Sequence, residues 1–380
     1  MRQAFGRDYL YEKPYMAFLQ GLVDSAGYLI RRPGKRRLDK AGVRRILISR
    51  IDHLGDVFIA SSVLPRLKKA FPSARIDFLA GEWTRAYLNT NPFIDRVIPY
   101  NAFRHNRTAG LFKRAIDAVA GYLRVAGELR RAGHDLCINL RTYPFNASTL
   151  LYIGGCRYSV GFGTGGYGFL LDRVIPYMDG VDEITHLSAA LEAVGIDAQG
   201  LRPRFEPSED ALRRADALLK GLGIAEGEPF AVFHTGAGTP VKRWSRQAWT
   251  ELGSKLMDYY GLKTLASDPV YNGINSCIAL PALVSFEEYA AVLKRAALFV
   301  GLDSFPAHLA ASMDTPVVVV WCGVNDAVRW RPAGPRVAVV KRGVGCAPCF
   351  KKAGCAGMEC MRIEPGECLE AVAAFLGGRM

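Results

Sequence analysis

Short β-branched runs alternate with helical stretches along this chain, and the alternation occurs twice. From residue 46, "ILIS", "RIDFLA", "DRVIPY" and "DLCINL" each precede a segment of helical pattern, at 57–71, 83–90, 111–132 and 145–153. Such alternation implies right-handed crossovers and a parallel sheet covered by helices on both faces. Residues 197–208, "DAQGLRPRFEPS", read as a linker. A second series follows: "FAVFHTGA" at 230, a helix from 245, "LKTLAS", a helix from 286, "ALFVGLDS", a helix from 306 and "PVVVVW". Ser285 followed by Glu288 forms a capping box that fixes the start of one of these helices. The expected architecture is α/β, with Rossmann-like domains over 45–200 and 201–380 preceded by an extension over 1–44. At 380 residues the chain also exceeds the roughly 250–300 at which a single core usually stops growing. In open parallel sheets ligands gather at the carboxyl ends of the strands. An interdomain cleft lined by "RIDHLGD", "HTGAG" and "GLDSFPAH" is therefore the expected active site.

The formal net charge of +13 points to an anionic partner. Zinc-finger, homeodomain and RNP patterns are missing, and the basic residues are not interleaved with aromatics, so nucleic acid ranks behind an acidic membrane and phosphorylated small molecules. No apolar stretch reaches the ~18 residues of a spanning helix. Near the N-terminus, Tyr15, Phe18, Leu19, Leu22, Val23, Ala26, Leu29 and Ile30 recur at helical spacing, and "RRPGKRRLDKAGVRR" follows with eight Lys or Arg against one Asp. Two readings stand side by side. One is a helix lying on an anionic leaflet. The other is a helix docked on the protein's own surface, followed by a solvated basic linker. Asp24 interrupts the apolar run, and Asp8 and Glu12 precede it, so a secretory signal is not expected. Nine cysteines in such a chain suit a reducing cytoplasm better than a disulfide framework.

Three turns carry chemistry. "RIDHLGDVFIA" has neither the Gly-Lys-Ser/Thr of a P-loop nor the three glycines of a dinucleotide fingerprint. "HTGAGTPVKRW" ends a strand in a flexible turn and offers Thr235, Gly236, Gly238, Lys242 and Arg243, a suitable set for a diphosphate. "FVGLDSFPAHLAA" sets Asp303, Ser304, Phe305 and His308 at the start of a helix whose free amides and positive end would face an anion. Taken singly, either turn could be plain capping by Asp303 and Ser304 with His308 packed in the core. No metal-binding Asp-x-Asp pair accompanies them.

From residue 45 to about 370 the chain resembles glycosyltransferase family 9, the ADP-heptose:lipopolysaccharide heptosyltransferase family. The likeness rests on "GDVFIASSVLPRLKKAFPSARIDFLAG", "HTGAGTPVKRW", "SFEEYAAVLKRAALFVGLDSFPAHLAA" and "CAPC" with "CMRIEP". It implies a GT-B fold with an acceptor-binding first half, a nucleotide-sugar-binding second half, and inverting transfer of a heptose to a lipopolysaccharide core without a catalytic metal. By the same resemblance Asp56 of the Gly55–Asp56 turn is the general base, Lys242 serves the donor phosphates, and Asp303, Ser304 and His308 form a phosphate loop. Arg104 and Arg107 fall where relatives contact acceptor phosphates. Phe305 stands where the family usually has glycine, and the family's ribose glutamate is missing from "ASDPVYNGIN", where Asp268 could substitute. Those two departures leave another donor sugar, a protein acceptor, or a binding module without activity as alternatives. Location at the cytoplasmic face of the inner membrane, held there by the N-terminal extension, follows from the implied acceptor.

Cys346, Cys349, Cys355 and Cys360 place four thiols within fifteen residues, a spacing compatible with tetrahedral Zn or Fe as well as with reduced, unmetallated thiols. Asp52 and His53 are read as orienting partners or surface residues, with no catalytic role for His53.

Overall fold

The computed structural model describes residues 2–31, 33, 34, 36–101, 111–144, 147–268, 276–281, 284–351 and 353–377. The chain divides into two compact units, Met1–Leu201 and Arg202–Met380.

The first unit opens with a small antiparallel hairpin, β1 (Arg2–Ala4) and β2 (Arg7–Tyr9), followed by the helix Pro14–Ile30. Its main sheet contains β3 (Arg45–Ser49), β4 (Arg75–Ala80), β5 (Arg96–Pro99), β6 (Leu136–Asn139), β7 (Tyr158–Phe162) and β8 (Arg173–Ile175), all parallel, in the order β5-β4-β3-β6-β7-β8. The second unit repeats that plan with β9 (Phe230–His234), β10 (Lys263–Ala266), β11 (Cys277–Ala279), β12 (Leu298–Leu302), β13 (Val317–Val320) and β14 (Val337–Val340), ordered β11-β10-β9-β12-β13-β14 and again parallel. In both sheets the first main strand lies beside the fourth, so the connectivity reverses there and leaves a crevice at the strand ends.

The central strands are buried on both faces and read as near-continuous apolar runs, as parallel sheets require. The helix expected over 57–71 is instead two helices, Leu54–Ala60 and Leu64–Ala70, joined by a 3₁₀ turn at Ser61–Val63. Pro65, which has no amide hydrogen, sits in the first turn of the second piece, where none is needed. Ser285 and Glu288 form the expected capping box. In the second unit Trp244 stacks edge-on against Trp249 at 5.1 Å and donates its indole N–H to Ile363 O, tying the loop after β9 to the core.

The N-terminal helix docks with its polar side inward. Ala17, Gln20, Gly21, Asp24 and Gly27 are buried, whereas the apolar stripe is exposed, from 45% at Leu22 to 88% at Ile30. Asp24 accepts from Tyr9 Oη at 2.8 Å, Gln20 Nε2 at 2.9 Å and the Tyr167 amide at 2.9 Å. Gly27 is required by this approach, because a Cβ there would come within 2.4 Å of the Phe169 ring. Of the two sequence readings, docking on the protein's own surface describes the inner face, but the docked side is polar rather than apolar.

One expectation from cysteine usage is corrected. Cys137 in β6 and Cys156, just ahead of β7, form a disulfide. Neighbouring parallel strands bring them together across a short crossover, a proximity the sequence pattern does not reveal.

Candidate active site

The first cluster lies at the carboxyl ends of β3 and β6. Arg50, the residue after β3, is fully buried. Its guanidinium donates to Leu140 O at 2.5 Å and to Glu183 Oε1 at 2.7 Å, and lies 3.4 Å from both Asp52 Oδ2 and Asp56 Oδ1. Arg141, following β6, holds Asp52 at 2.5 Å and also donates to Ile51 O at 2.9 Å. Three carboxylates thus surround two guanidiniums in a largely dry site, which leaves one negative charge in excess and favours uptake of one proton. Asp56 is the carboxylate best placed to carry it, since its side chain is 15% exposed against 8% for Asp52 and 2% for Glu183. Burial, then the neighbouring Asp52 charge, push the Asp56 carboxyl up to about 7, with Arg50 opposing and Glu183 adding to the rise. A carboxylate poised near neutrality suits a general base.

Several sequence readings change here. Asp56 lies within the first turn of the helix Leu54–Ala60 rather than in the turn before it. Gly55 is an ordinary helical residue, and the strand-to-helix turn is made earlier, at Ile51–His53. Of the two readings given to Asp52, the orienting partner is the one that holds, since it is buried and locked to Arg141 and Arg50. His53 precedes the helix and is exposed. Arg104 and Arg107 lie outside the described residues. Arg50, Arg141 and Glu183 were missed. Arg50 stands two residues before Asp52, a charge immediately after a buried strand that could have been noticed, but no local signal connects Glu183, 133 positions away. Trp83, which donates its indole N–H to Asp52 O at 3.1 Å and is 36% exposed, was missed as well.

The second cluster occupies the crevice between β9 and β12. Lys242 Nζ lies 2.5 Å from Asp303 Oδ2 and donates to Asp303 O at 3.2 Å, while Asn325 Nδ2 donates to the same carboxylate at 2.7 Å. Asp303 therefore positions the lysine, and Asn325, after β13, is a further member the sequence did not flag. Ser304 Oγ donates back to Leu302 O at 3.1 Å and makes no cap bond, so the capping reading of this turn fails and the amides at the head of Phe305–Ser312 are not covered by that hydroxyl. His308 is buried, and desolvation takes its imidazole down to about 4, with Asp303 opposing and Lys242 adding to the shift. It is neutral at physiological pH and brings no charge to the cluster. Phe305 stacks on Phe286 at 6.0 Å.

The Gly-rich turn after β9 has two hydroxyls, Thr235 Oγ1 and Thr239 Oγ1, that are buried without a hydrogen-bond partner among the described residues. Buried hydroxyls are normally satisfied, so this pair is open to a polar partner, water or ligand. Gly236 admits Asp268, whose Oδ2 would be only 1.5 Å from any Cβ there. His234 bonds Ser267 Oγ at 3.0 Å, and burial lowers its imidazole to about 4. Gly238 borders open space and Arg243 is exposed.

The four cysteines of the C-terminal loop do not assemble into a ligand set. Cys346 and Cys355 are exposed, Cys349 is partly buried, and buried Cys360 approaches Cys322, with 3.9 Å between their sulfurs. Among the described residues no group of three or more His, Cys, Asp or Glu side chains could share an ion. Burial raises the Cys322 thiol to about 11. These residues, as arranged, do not fit a structural Zn or Fe site.

Two parallel units of Rossmann order, with charged clusters at their strand-end crevices, define a glycosyltransferase of GT-B fold. The sequence signature of glycosyltransferase family 9 (heptosyltransferase) matches residues 122–358, and the chain belongs to that family. Lipopolysaccharide heptosyltransferase 3 of Escherichia coli K12 is 25% identical over 296 residues, covering 73% of this chain and 82% of that protein. Lipopolysaccharide heptosyltransferase 2 of Salmonella typhimurium is 23% identical over 308 residues, covering 73% and 82%. Among solved structures, a family 9 glycosyltransferase from Veillonella parvula superposes with a TM-score of 0.73 at 20% identity over 90% of this chain and 98% of that one. The E. coli ADP-heptose lps heptosyltransferase II gives 0.65 at 18% identity over 88% and 98%.

Proposed function

We propose that the enzyme is an inverting heptosyltransferase that moves a heptose from ADP-heptose to a lipopolysaccharide core acceptor. The observation that carries the reading is Asp56, the most exposed carboxylate of a buried network that brings its proton affinity to neutrality. Inversion needs one base to take the proton of the acceptor hydroxyl as its oxygen attacks the anomeric carbon, and a stabilised diphosphate leaving from the opposite side. Asp56 takes the proton. Lys242, held by Asp303 and Asn325, meets the charge on the departing ADP in place of a metal ion. The unpartnered hydroxyls of Thr235 and Thr239, with the amides of the same turn, receive the donor phosphates. Asp268 takes the ribose in this reading. The names of the E. coli and Salmonella relatives support the sugar and the acceptor class. A lipid-linked acceptor would put the enzyme at the cytoplasmic face of the inner membrane, with the N-terminal extension as its attachment.

The test is incubation of the purified chain with ADP-, UDP- and GDP-sugars and heptose-deficient lipopolysaccharide core, scored for free nucleoside diphosphate and for the anomeric configuration of the product. ADP release with inversion, confined to ADP-heptose, is expected. Release from a different donor alone, or from none, refutes the assignment.

A further inference from the structure

The helix Pro14–Ile30 has its polar face committed to the interior and its apolar face turned out. Phe18, Leu19, Leu22, Val23, Leu29 and Ile30 are 54, 57, 45, 47, 82 and 88% exposed, and Phe5, half-exposed on the hairpin, extends the patch against Phe18 at 5.4 Å. The outward stripe is not a loosely held leftover, because the Asp24 hydrogen bonds fix the helix's rotation. Exposure of this many large apolar side chains along one line marks a surface meant to be covered.

At the C-terminal end of the stripe, immediately after the two most exposed residues, lies a cavity of about 430 Å³ lined by Arg31, Arg36, Arg157, Tyr152 and Asp172 among others. Arg31 pairs with Asp172 at 3.2 Å and lies over the Tyr152 ring at 4.9 Å. Arg36 donates to Arg157 O at 3.2 Å and is 3.9 Å from Asp172, while the Arg157 guanidinium pairs with Asp135 at 2.9 Å. Arg36 and Arg157 keep side chains 56% and 76% exposed. Three guanidiniums against two carboxylates, Asp172 in the lining and Asp135 paired with Arg157, leave one positive charge in excess where the apolar stripe ends.

We propose that this face docks on an anionic bilayer, with the stripe entering the acyl boundary and Arg36 and Arg157 holding lipid phosphates at the headgroup level. Charge complementarity selects this occupant: an apolar edge ending in a guanidinium-lined cavity matches the layering of acyl chains beneath phosphates. The inference deepens the membrane attachment proposed above and specifies that insertion, rather than the basic linker alone, supplies it. No helix among the described residues is long and apolar enough to cross a membrane, so the contact is peripheral in kind.

The experiment is co-sedimentation of the full chain with vesicles of phosphatidylethanolamine and phosphatidylglycerol, and with vesicles of phosphatidylcholine alone. Leu29→Ser with Ile30→Ser should cut partitioning onto anionic vesicles by at least about tenfold, since burial of each such side chain is worth about a decade in affinity. Arg36→Gln with Arg157→Gln should bring anionic binding down to the phosphatidylcholine level, and millimolar inorganic phosphate should not displace the unaltered chain. Undiminished binding of the serine variant would leave attachment by charge alone and sink the insertion, although the peripheral reading would survive. Absence of any vesicle binding by the unaltered chain would end both. Displacement by inorganic phosphate would make the cavity a free-anion site, and a lipid-free dimer dissolved by the serine pair would make the stripe a contact between copies; either overturns the proposal. ADP release from a soluble acceptor, measured alongside, reports separately on the transferase reading.

Discussion

At the scale of single residues, the chemistry turns on an excess of one carboxylate over the guanidiniums around Arg50. Asp56→Asn should lower turnover by about 10²–10⁴, the usual worth of a positioned base, while leaving ADP affinity, measured by calorimetry, unchanged; equal loss of both would indicate damage to the fold. With Asp56 titrating near 7, the rate should rise with pH up to that value and level off above it. The stability sign is opposite. The native chain binds this proton below about 7, whereas the unfolded chain waits until near the ordinary 3.8, so between those values the native state holds more protons and its stability falls as pH rises. Asp56→Asn should therefore melt at a higher temperature than the parent at pH 8, even as its activity falls. Lys242→Met should weaken ADP binding and turnover together, and Asp303→Asn should reproduce part of that loss by releasing the lysine. Lys242 stood out because it lies in a Gly-rich turn after an apolar run, whereas Asp56 was singled out only by the family resemblance. Glu183 was not visible, since its pairing with Arg50 depends on which strands are neighbours.

At the scale of elements, the N-terminal helix shows what periodicity can and cannot say. Helical spacing located the element and its apolar stripe, but period alone does not tell which face meets protein. Asp24 decides it, because three donors converge on a carboxylate that would otherwise be buried alone. Asp24→Ala should cost roughly 1–3 kcal/mol for each buried donor it orphans in the docking of this helix, read as accelerated proteolysis within residues 10–40 and loss of amide protection there, with protection of β3 and β6 retained. The helix start at Ser285 was legible from its capping box, whereas the helices Glu183–Glu192 and Glu209–Gly221 were not assigned although Asp182 and Ser208 cap them. The short strands β7, β8, β11 and β14 were not assigned, since runs of three to five residues carry little period to detect.

At the scale of the whole molecule, the doubled α/β plan was legible from alternation, and the linker reading covers the division at Leu201 and Arg202. The identical strand order of the two units was not, because sequence order does not state which strands adjoin. If ADP binds as proposed, hydrogen exchange should slow at 230–243 and 298–308 and remain unchanged at 45–60, and saturating ADP at about 100 times its dissociation constant should add about 2.7 kcal/mol to the unit that holds it. Every strand of the first sheet precedes Leu201, and the helix bearing the outward stripe precedes them all. During synthesis the first unit therefore has all its partners on hand while the second is still on the ribosome. A chain caught midway through translation would already carry the complete outward apolar ridge, so if that ridge meets lipid as proposed, delivery to the membrane can begin before the second unit exists.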